Sequence, residues 1–272
     1  IGPVALNGSL EVSPDRSTTY TITATGPGGT ATAAVTVTVN SVIGLHIDSP
    51  APGSLIHGPD ILVTGTVSHA YGYEAGVRVN GFTATVYGNR FVANHVPLDL
   101  GENEIYVSAV DGRGNSAVLS IPVTADSLEP ILTLTPRDMV GLAPFRTTIN
   151  VRSVIASEHI SLIDSGPAPL LYEQGGDASE WLIQADEPGI YTIEAREDQT
   201  GKYSDRAAIV VYDREELDDL LREKWVSLQS CLLNNDVEGA LREIAPSRVD
   251  DYRWVFNAMT PEKRARISDE MQ

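Results

Sequence analysis

The chain has one cysteine, Cys231, in 272 residues, so no disulfide forms within it. Secreted eukaryotic proteins of this size usually carry disulfides, so the scarcity points to a bacterial surface protein or an intracellular one. Basic residues are also few: 19 lysines and arginines stand against 37 aspartates and glutamates, a formal net charge of −18. A polyanion repels phosphate backbones and anionic lipid, which disfavours nucleic-acid and membrane-surface partners. No apolar run approaches the roughly 20 residues of a membrane span. The motifs of common chemistry are missing as well. His46, His57, His69, His95 and His159 show no metal-ligand spacing, and a lone cysteine argues against structural zinc. There is no nucleophile elbow, phosphate loop or dinucleotide fingerprint.

What is present is a repeat. Tyr20 to Ala24 (YTITA), Ile105 to Ala109 (IYVSA) and Tyr191 to Ala195 (YTIEA) are copies of one phrase. Each runs through turn residues (Gly28-Gly29, Gly112 to Asn115, Gln199 to Gly201) into a second strand: Ala34 to Val39, Val118 to Val123, Ala207 to Val211. The closing alanines are 85 and 86 residues apart. That period is too long for a solenoid or a propeller blade and close to the roughly 100 residues of one immunoglobulin-type sandwich. The hydrophobic fraction of 42% suffices for packed cores. The expected fold class is mainly β, with tandem immunoglobulin-like antiparallel β-sandwiches and a C-terminal α-helical segment.

Residues 1–40 read as the closing strands of a first module, with a hairpin signal at Asn7-Gly8, so the natural protein is expected to extend upstream. The run TTYTITATGPGGTATAAVTVTV (residues 18–39) resembles the end of bacterial immunoglobulin-like repeats. A second module spans 43–125, with Asn80-Gly81 as a two-residue turn that needs positive φ at both positions. Its run from Val77 to Asn115 is similar to bacterial immunoglobulin-like modules of the glucodextranase B-domain type, which implies a non-catalytic accessory or spacer domain. A third module spans 130–212. Leu132 to Thr135, Gly141 to Pro144 and Gly189 to Ile193 resemble a polycystic-kidney-disease-type (PKD) domain, although that family's Trp-x-Phe-Gly-Asp-Gly signature is absent. Tyr20 and Tyr191 sit where a tyrosine corner falls. The middle module has Asn103 there, so its corner must close differently. The short linkers at 40–42 and 126–129 predict sandwiches arranged end to end.

From Asp213 the period becomes helical, with apolar residues at Leu217, Leu220, Leu221, Leu228, Cys231 and Leu232. Asp213 is placed to cap, and Glu215, Glu216, Asp218 and Asp219 complement the helix dipole. Asn234-Asn235 breaks this helix, a second ends at Pro246, and a third carries Val249, Tyr252, Val255, Phe256 and Met259. Thr260-Pro261-Glu262 opens a fourth. Within the helical segment 213–272, the run EKWVSLQSCLLNNDVEGALREIAPSRVDDYRWVF (Glu223 to Phe256) resembles the opening helices of a nuclear-transport-factor-like domain, and the segment is expected to be truncated. Its apolar stripe predicts weak self-association.

Three groups of residues invite a chemical reading. Asp111 and Asn115, with Asp99 or Glu102 near in sequence, offer oxygen donors for calcium; the plainer reading is a hairpin turn using Asp, Gly and Asn locally. Tyr71, Tyr73, Phe82 and Tyr87 could form a sugar platform or simply pack at strand ends. Cys231 lies on an apolar helix face, where a buried inert thiol is expected. No catalytic, cofactor-binding or metal site residue and no cofactor is assigned, and the chain is not read as an enzyme. The leading expectation is a structural or interaction segment (spacer, adhesion or scaffold) of a larger bacterial secreted or cell-surface protein. Its partners would be other domains of that protein and a protein or glycan ligand, with no nucleic acid and no membrane insertion. The alternative is an accessory part of a carbohydrate-active enzyme or an Rhs-type toxin whose catalytic domain lies elsewhere.

Overall fold

The computed structural model describes residues 9, 11–12, 18–37, 42–71, 74–112, 114–244 and 248–270. They fall into two units, Ile1–Val42 and Ile43–Gln272. In the first, β1 (Thr18–Gly26) pairs antiparallel with β2 (Gly29–Val37). Alternation gives this ribbon two unlike faces. Tyr20, Ile22 and Ala24 stand opposite Val35, Ala33 and Ala31 on one face, and a threonine ladder lines the other, with Thr19 and Thr36 hydroxyls 2.8 Å apart. Ile22 is 55% and Val35 64% exposed. The hairpin expected at Asn7-Gly8 lies outside the described residues.

The second unit begins with β3 (Ile43–Ser49), β4 (Ser54–Ile56), β5 (Asp60–His69), β6 (Ala75–Val79), β7 (Phe82–Thr83), β8 (Thr85–Tyr87), β9 (Arg90–Pro97), β10 (Gly101–Asp111) and β11 (Ser116–Ala125). They form sheets in the orders β3-β5-β9-β8 and β4-β11-β10-β6-β7. A third sandwich follows with β12 (Leu132–Pro136), β13 (Val140–Leu142), β14 (Phe145–Ser153), β15 (Ile160–Ser165), β16 (Leu171–Gln174), β17 (Glu180–Ala185), β18 (Gly189–Glu197) and β19 (Ser204–Tyr212). Its orders are β12-β14-β17-β16 and β13-β19-β18-β15. Both sandwiches therefore share the immunoglobulin arrangement of an ABED sheet facing a GFC sheet. In each, a short strand (β4 or β13) peels off the first edge to run parallel to the last strand.

The repeated phrase is the inner face of the penultimate strand. Ile105, Val107 and Ala109 on β10, and Tyr191, Ile193 and Ala195 on β18, are all fully buried. Burying each larger aliphatic side chain stabilises the fold by about 1.5–3 kcal/mol. The phenol of Tyr191 donates to the Glu187 carbonyl four residues upstream at 2.8 Å, which is a tyrosine corner. In the middle sandwich Asn103 does the same work with an amide. Its Nδ2 donates to the Asp99 carbonyl, again four residues upstream, at 2.6 Å, and its Oδ1 accepts the Asp99 N–H at 2.8 Å. Asn80 and Gly81 take φ of 47° and 85°, as the two-residue turn requires.

The end-to-end arrangement does not hold. The outward face of the middle ABED sheet packs against the outward face of β18 and β19, where Leu62 and Val92 join Ile190, Ala208 and Val210 in one buried cluster. Asn94 on β9 clamps the Ala208 backbone from the side, accepting its N–H at 2.7 Å and donating to its carbonyl at 2.9 Å. Short linkers fix distance but not direction. Apolar residues on both faces of β19 decide the contact, because an isolated sandwich would leave one face wet.

Four helices follow: α1 (Arg214–Leu233), α2 (Val237–Arg242), α3 (Val249–Ala258) and α4 (Pro261–Glu270). The Asp213 carboxylate caps α1 by accepting the N–H groups of Glu215 and Glu216. Leu232, Ala240, Leu241 and Phe256 form the buried core of the helical unit, with Leu228 and Cys231 against it. The unit reaches past the third sandwich to the middle one, where the Lys224 ammonium lies 2.6 Å from Glu74. The position expected to end α2, Pro246, lies outside the described residues.

Candidate functional site

The end of the middle sandwich nearest the helices is built from the last residue of β5, the loop after it, and the β10–β11 hairpin. His69 ends β5 and Asp111 ends β10, and their side chains meet at 2.9 Å (Nε2 to Oδ2). His69 Nδ1 accepts the Tyr71 N–H at 3.1 Å, so the ring proton sits on Nε2 and is donated to the carboxylate. Asp111 also accepts the Asn115 N–H at 2.9 Å and the Asn115 side-chain amide at 2.7 Å. The His69 and Asp111 side chains are 2% and 0% exposed. The pair acts as a knot that ties the end of β5 to the β10–β11 hairpin.

The third sandwich repeats the device. Glu197 stands two residues beyond Ala195, as Asp111 stands two beyond Ala109. Its carboxylate accepts the N–H groups of Gln199 and Thr200, the latter at 2.9 Å, and the Thr200 hydroxyl. The hydroxyl and these amides hold the Glu197 carboxyl below its ordinary range, against the opposing pull of burial. A buried acid at this register is thus a hairpin staple in both modules.

This geometry separates the proposed calcium donors. β10 puts ten residue steps between Gly101 and Asp111, roughly 33 Å, so Asp99 and Glu102 stand at the opposite end of the sandwich from Asp111 and Asn115. Among the described residues no group of three or more His, Cys, Asp or Glu side chains is placed to hold a metal. Four histidines instead each face one aspartate: His46 with Asp48, His57 with Asp126, His69 with Asp111, and His95 with Asp60.

Beside the knot a cleft of about 660 Å³ opens between the middle sandwich and α1. His69, Glu74, Tyr87, Tyr212, Glu216 and Leu220 contribute to its walls. Tyr87 and Tyr212 meet edge to face with centroids 5.4 Å apart, and the Tyr212 phenol donates to the Val86 carbonyl at 3.0 Å. Burial raises both phenol pKa values, helped at Tyr87 by Glu216 and Asp213. At the rim, burial would lower the Lys224 pKa, but Glu74 and Glu243 outweigh it and hold the ammonium charged.

The aromatic platform is not assembled as one surface. Tyr71 is exposed beside His69, Phe82 is exposed on β7, and Tyr87 turns into the cleft from the other sheet. Tyr73 lies outside the described residues. Cys231 is half-buried, and burial, with Asp236 and Glu243 adding, raises its thiol pKa away from reactivity. The sequence reading missed Tyr212 and the pairing of His69 with Asp111. In the sequence His69 stood only as one of five histidines without metal-ligand spacing.

Residues 43–127 match the family model described as glucodextranase, domain B. No curated protein matches the chain. Among solved structures, fibronectin(III)-like modules of CbhA from Clostridium thermocellum are 12% identical, with 63% of this chain and 96% of that one covered and a TM-score of 0.24. Domains 5–6 of the S-layer protein SbsC are 12% identical over 64% of this chain and 100% of that one, with a TM-score of 0.29. The titin domains I67–I69 are 10% identical over 75% and 77%, with a TM-score of 0.25. Scores this low carry no property of those proteins to this chain.

Proposed function

Immunoglobulin-like modules of this kind serve as structural or interaction domains, and we propose that the chain is a stiff spacer or scaffold segment of a larger bacterial secreted or cell-surface protein. The observation that carries this reading is the junction between the two sandwiches. A buried apolar cluster and a side-chain clamp on backbone hold them in one orientation, which a passive string of beads does not need. The sealed state of the His69–Asp111 pair supports a non-catalytic role. Under the same reading the third sandwich is a PKD-like module, and the helices open a nuclear-transport-factor-like domain. Its natural partners are neighbouring domains of the parent protein. The test is a screen of the purified chain against ester, glycoside and phosphoester substrates. Turnover abolished by substituting one histidine or Cys231 would overturn the proposal.

The family match over residues 43–127 favours a second reading, in which these modules accompany a carbohydrate-active catalytic domain. Co-sedimentation with insoluble polysaccharides separates the two. Retention lost in Tyr71→Ala or Phe82→Ala supports an accessory glycan-binding role, and no retention supports the spacer.

A further inference from the structure

β9 is irregular where it passes the third sandwich. Its register against β5 shifts between Ile61 and Val63, leaving Asn94 and His95 as a bulge, and His95 takes φ of 50°. Positive φ is uncommon away from glycine, and bulges re-aim side chains. Here Asn94 is aimed at the backbone of β19, where it extends a ladder that β13 begins when the Met139 carbonyl accepts the Val210 N–H at 2.8 Å. His95 holds the bulge from the other side, with Nδ1 donating to Asp60 at 3.1 Å. Its Nε2 is buried and has no hydrogen-bond partner among the described residues. Asp205 of the third sandwich, whose charge acts on His95, accepts with its carboxylate the N–H groups of Leu134 at 2.7 Å and Arg206 at 2.8 Å. Charged groups at this junction include Asp60 on β5, Asp205 and Arg206 on β19, and Glu194 on β18, which lies 3.9 Å from Arg206. A second histidine, His57, pairs with Asp126 and meets Tyr203 edge to face beside Lys202.

We propose that this bulge is a proton-sensitive key: protonation of His95 locks it, and with it the Asn94 clamp, so that acid tightens the junction between the sandwiches. Two aspartates on different strands, Asp60 in hydrogen-bond contact and Asp205 through its charge, attract an imidazolium at the bulge. The Asp60 hydrogen bond raises the His95 pKa above its ordinary value despite opposing burial, and the charge of Asp205 adds to it. Burial raises the Asp205 pKa, Asp60 adds, and His95 pulls it back, so each group favours the charge of the other. A histidine whose folded pKa is raised contributes stability that is fully present below about pH 6.5 and is lost as pH rises through the folded value.

Amide exchange at Ala208 reads the clamp directly, because that N–H is donated to Asn94. In the full chain its protection, divided by the intrinsic rate, should rise as pH falls from about 8.5 to 5.5. The opening constant should drop about tenfold for each pH unit between the locked and open-state pKa values. His95→Gln should remove that dependence, and Asn94→Ala should lose the protection at every pH. The same pH profile in the wild type and in His95→Gln would overturn the proposal. Should His95→Gln fail to fold, titration of the wild-type His95 ring by NMR decides it, since a pKa at or below about 6.5 refutes the lock.

Discussion

The Asp111 carboxylate is covered and accepts the His69 ring N–H together with the Asn115 backbone and side-chain N–H groups, so a substitution there removes the centre of a network. Asp111→Ala removes the buried carboxylate that accepts the His69 Nε2–H, and losing a hydrogen bond to a charged group costs about 1.5–3 kcal/mol, while the exposed Asn115 amide can turn to water. The expected result is a lowered denaturant midpoint with an unchanged slope, measured by urea titration. Added millimolar calcium should leave the melting temperature of the wild type unchanged, since a ligand that binds only the folded state must raise it. A rise of several degrees that Asp111→Ala abolishes would restore the calcium reading. Glu197 gives the acid side of the same argument. Its carboxyl is held low, so its contribution is present above about pH 4.5 and lost as pH falls through the folded value. Glu197→Gln should therefore flatten the fall in stability between neutral pH and pH 3. The turn chemistry of Asp111 and Asn115 was legible in the sequence. Its partner was not, because His69 lies 42 residues away on another strand and only the folded sheet brings them together.

At the scale of the strand, alternation carried most of the fold. The repeated phrase names the buried face of β10 and β18 residue by residue, and the turn at Asn80-Gly81 follows from the positive φ it demands. The contact between sandwiches was written in the same code. Ala207 to Val211 is a continuous apolar run, and continuity instead of alternation means burial on both faces. Ala207, Ile209 and Val211 fill the third core while Ala208 and Val210 meet Leu62 and Val92. Linker length misled because it says nothing of which faces are apolar. If the junction is a shared core, Leu62→Ala should destabilise the chain by about 2–5 kcal/mol, as a buried leucine does elsewhere. Calorimetry of Leu62→Asp should then resolve separate transitions for the two sandwiches, whereas the wild type should melt them together. Separate transitions in the wild type would show the contact to be too weak to couple them.

For the whole molecule, the charge and the C-terminal helices pull in opposite directions. A net charge of −18 repels a second copy. The helices, however, cover only part of their apolar surface. Leu228 and Leu232 turn into the helical core and Leu217 and Leu220 line the cleft, while Leu221, Trp225, Val226 and Trp254 stay exposed. Isolated helices of this length are marginal in water, and exposed apolar groups on them invite association. The expected outcome is weak self-association through residues 213–272 that strengthens with salt. Screening shortens to about 8 Å at physiological ionic strength and removes the long-range repulsion while leaving apolar contact intact. Sedimentation at rising protein concentration and two salt concentrations measures it. Trp254→Glu and Leu221→Glu should each return the chain to monomer, and a fragment ending at Tyr212 should be monomeric throughout. A wild type that stays monomeric at high concentration and high salt would mean that these side chains are too scattered to form one adhesive patch.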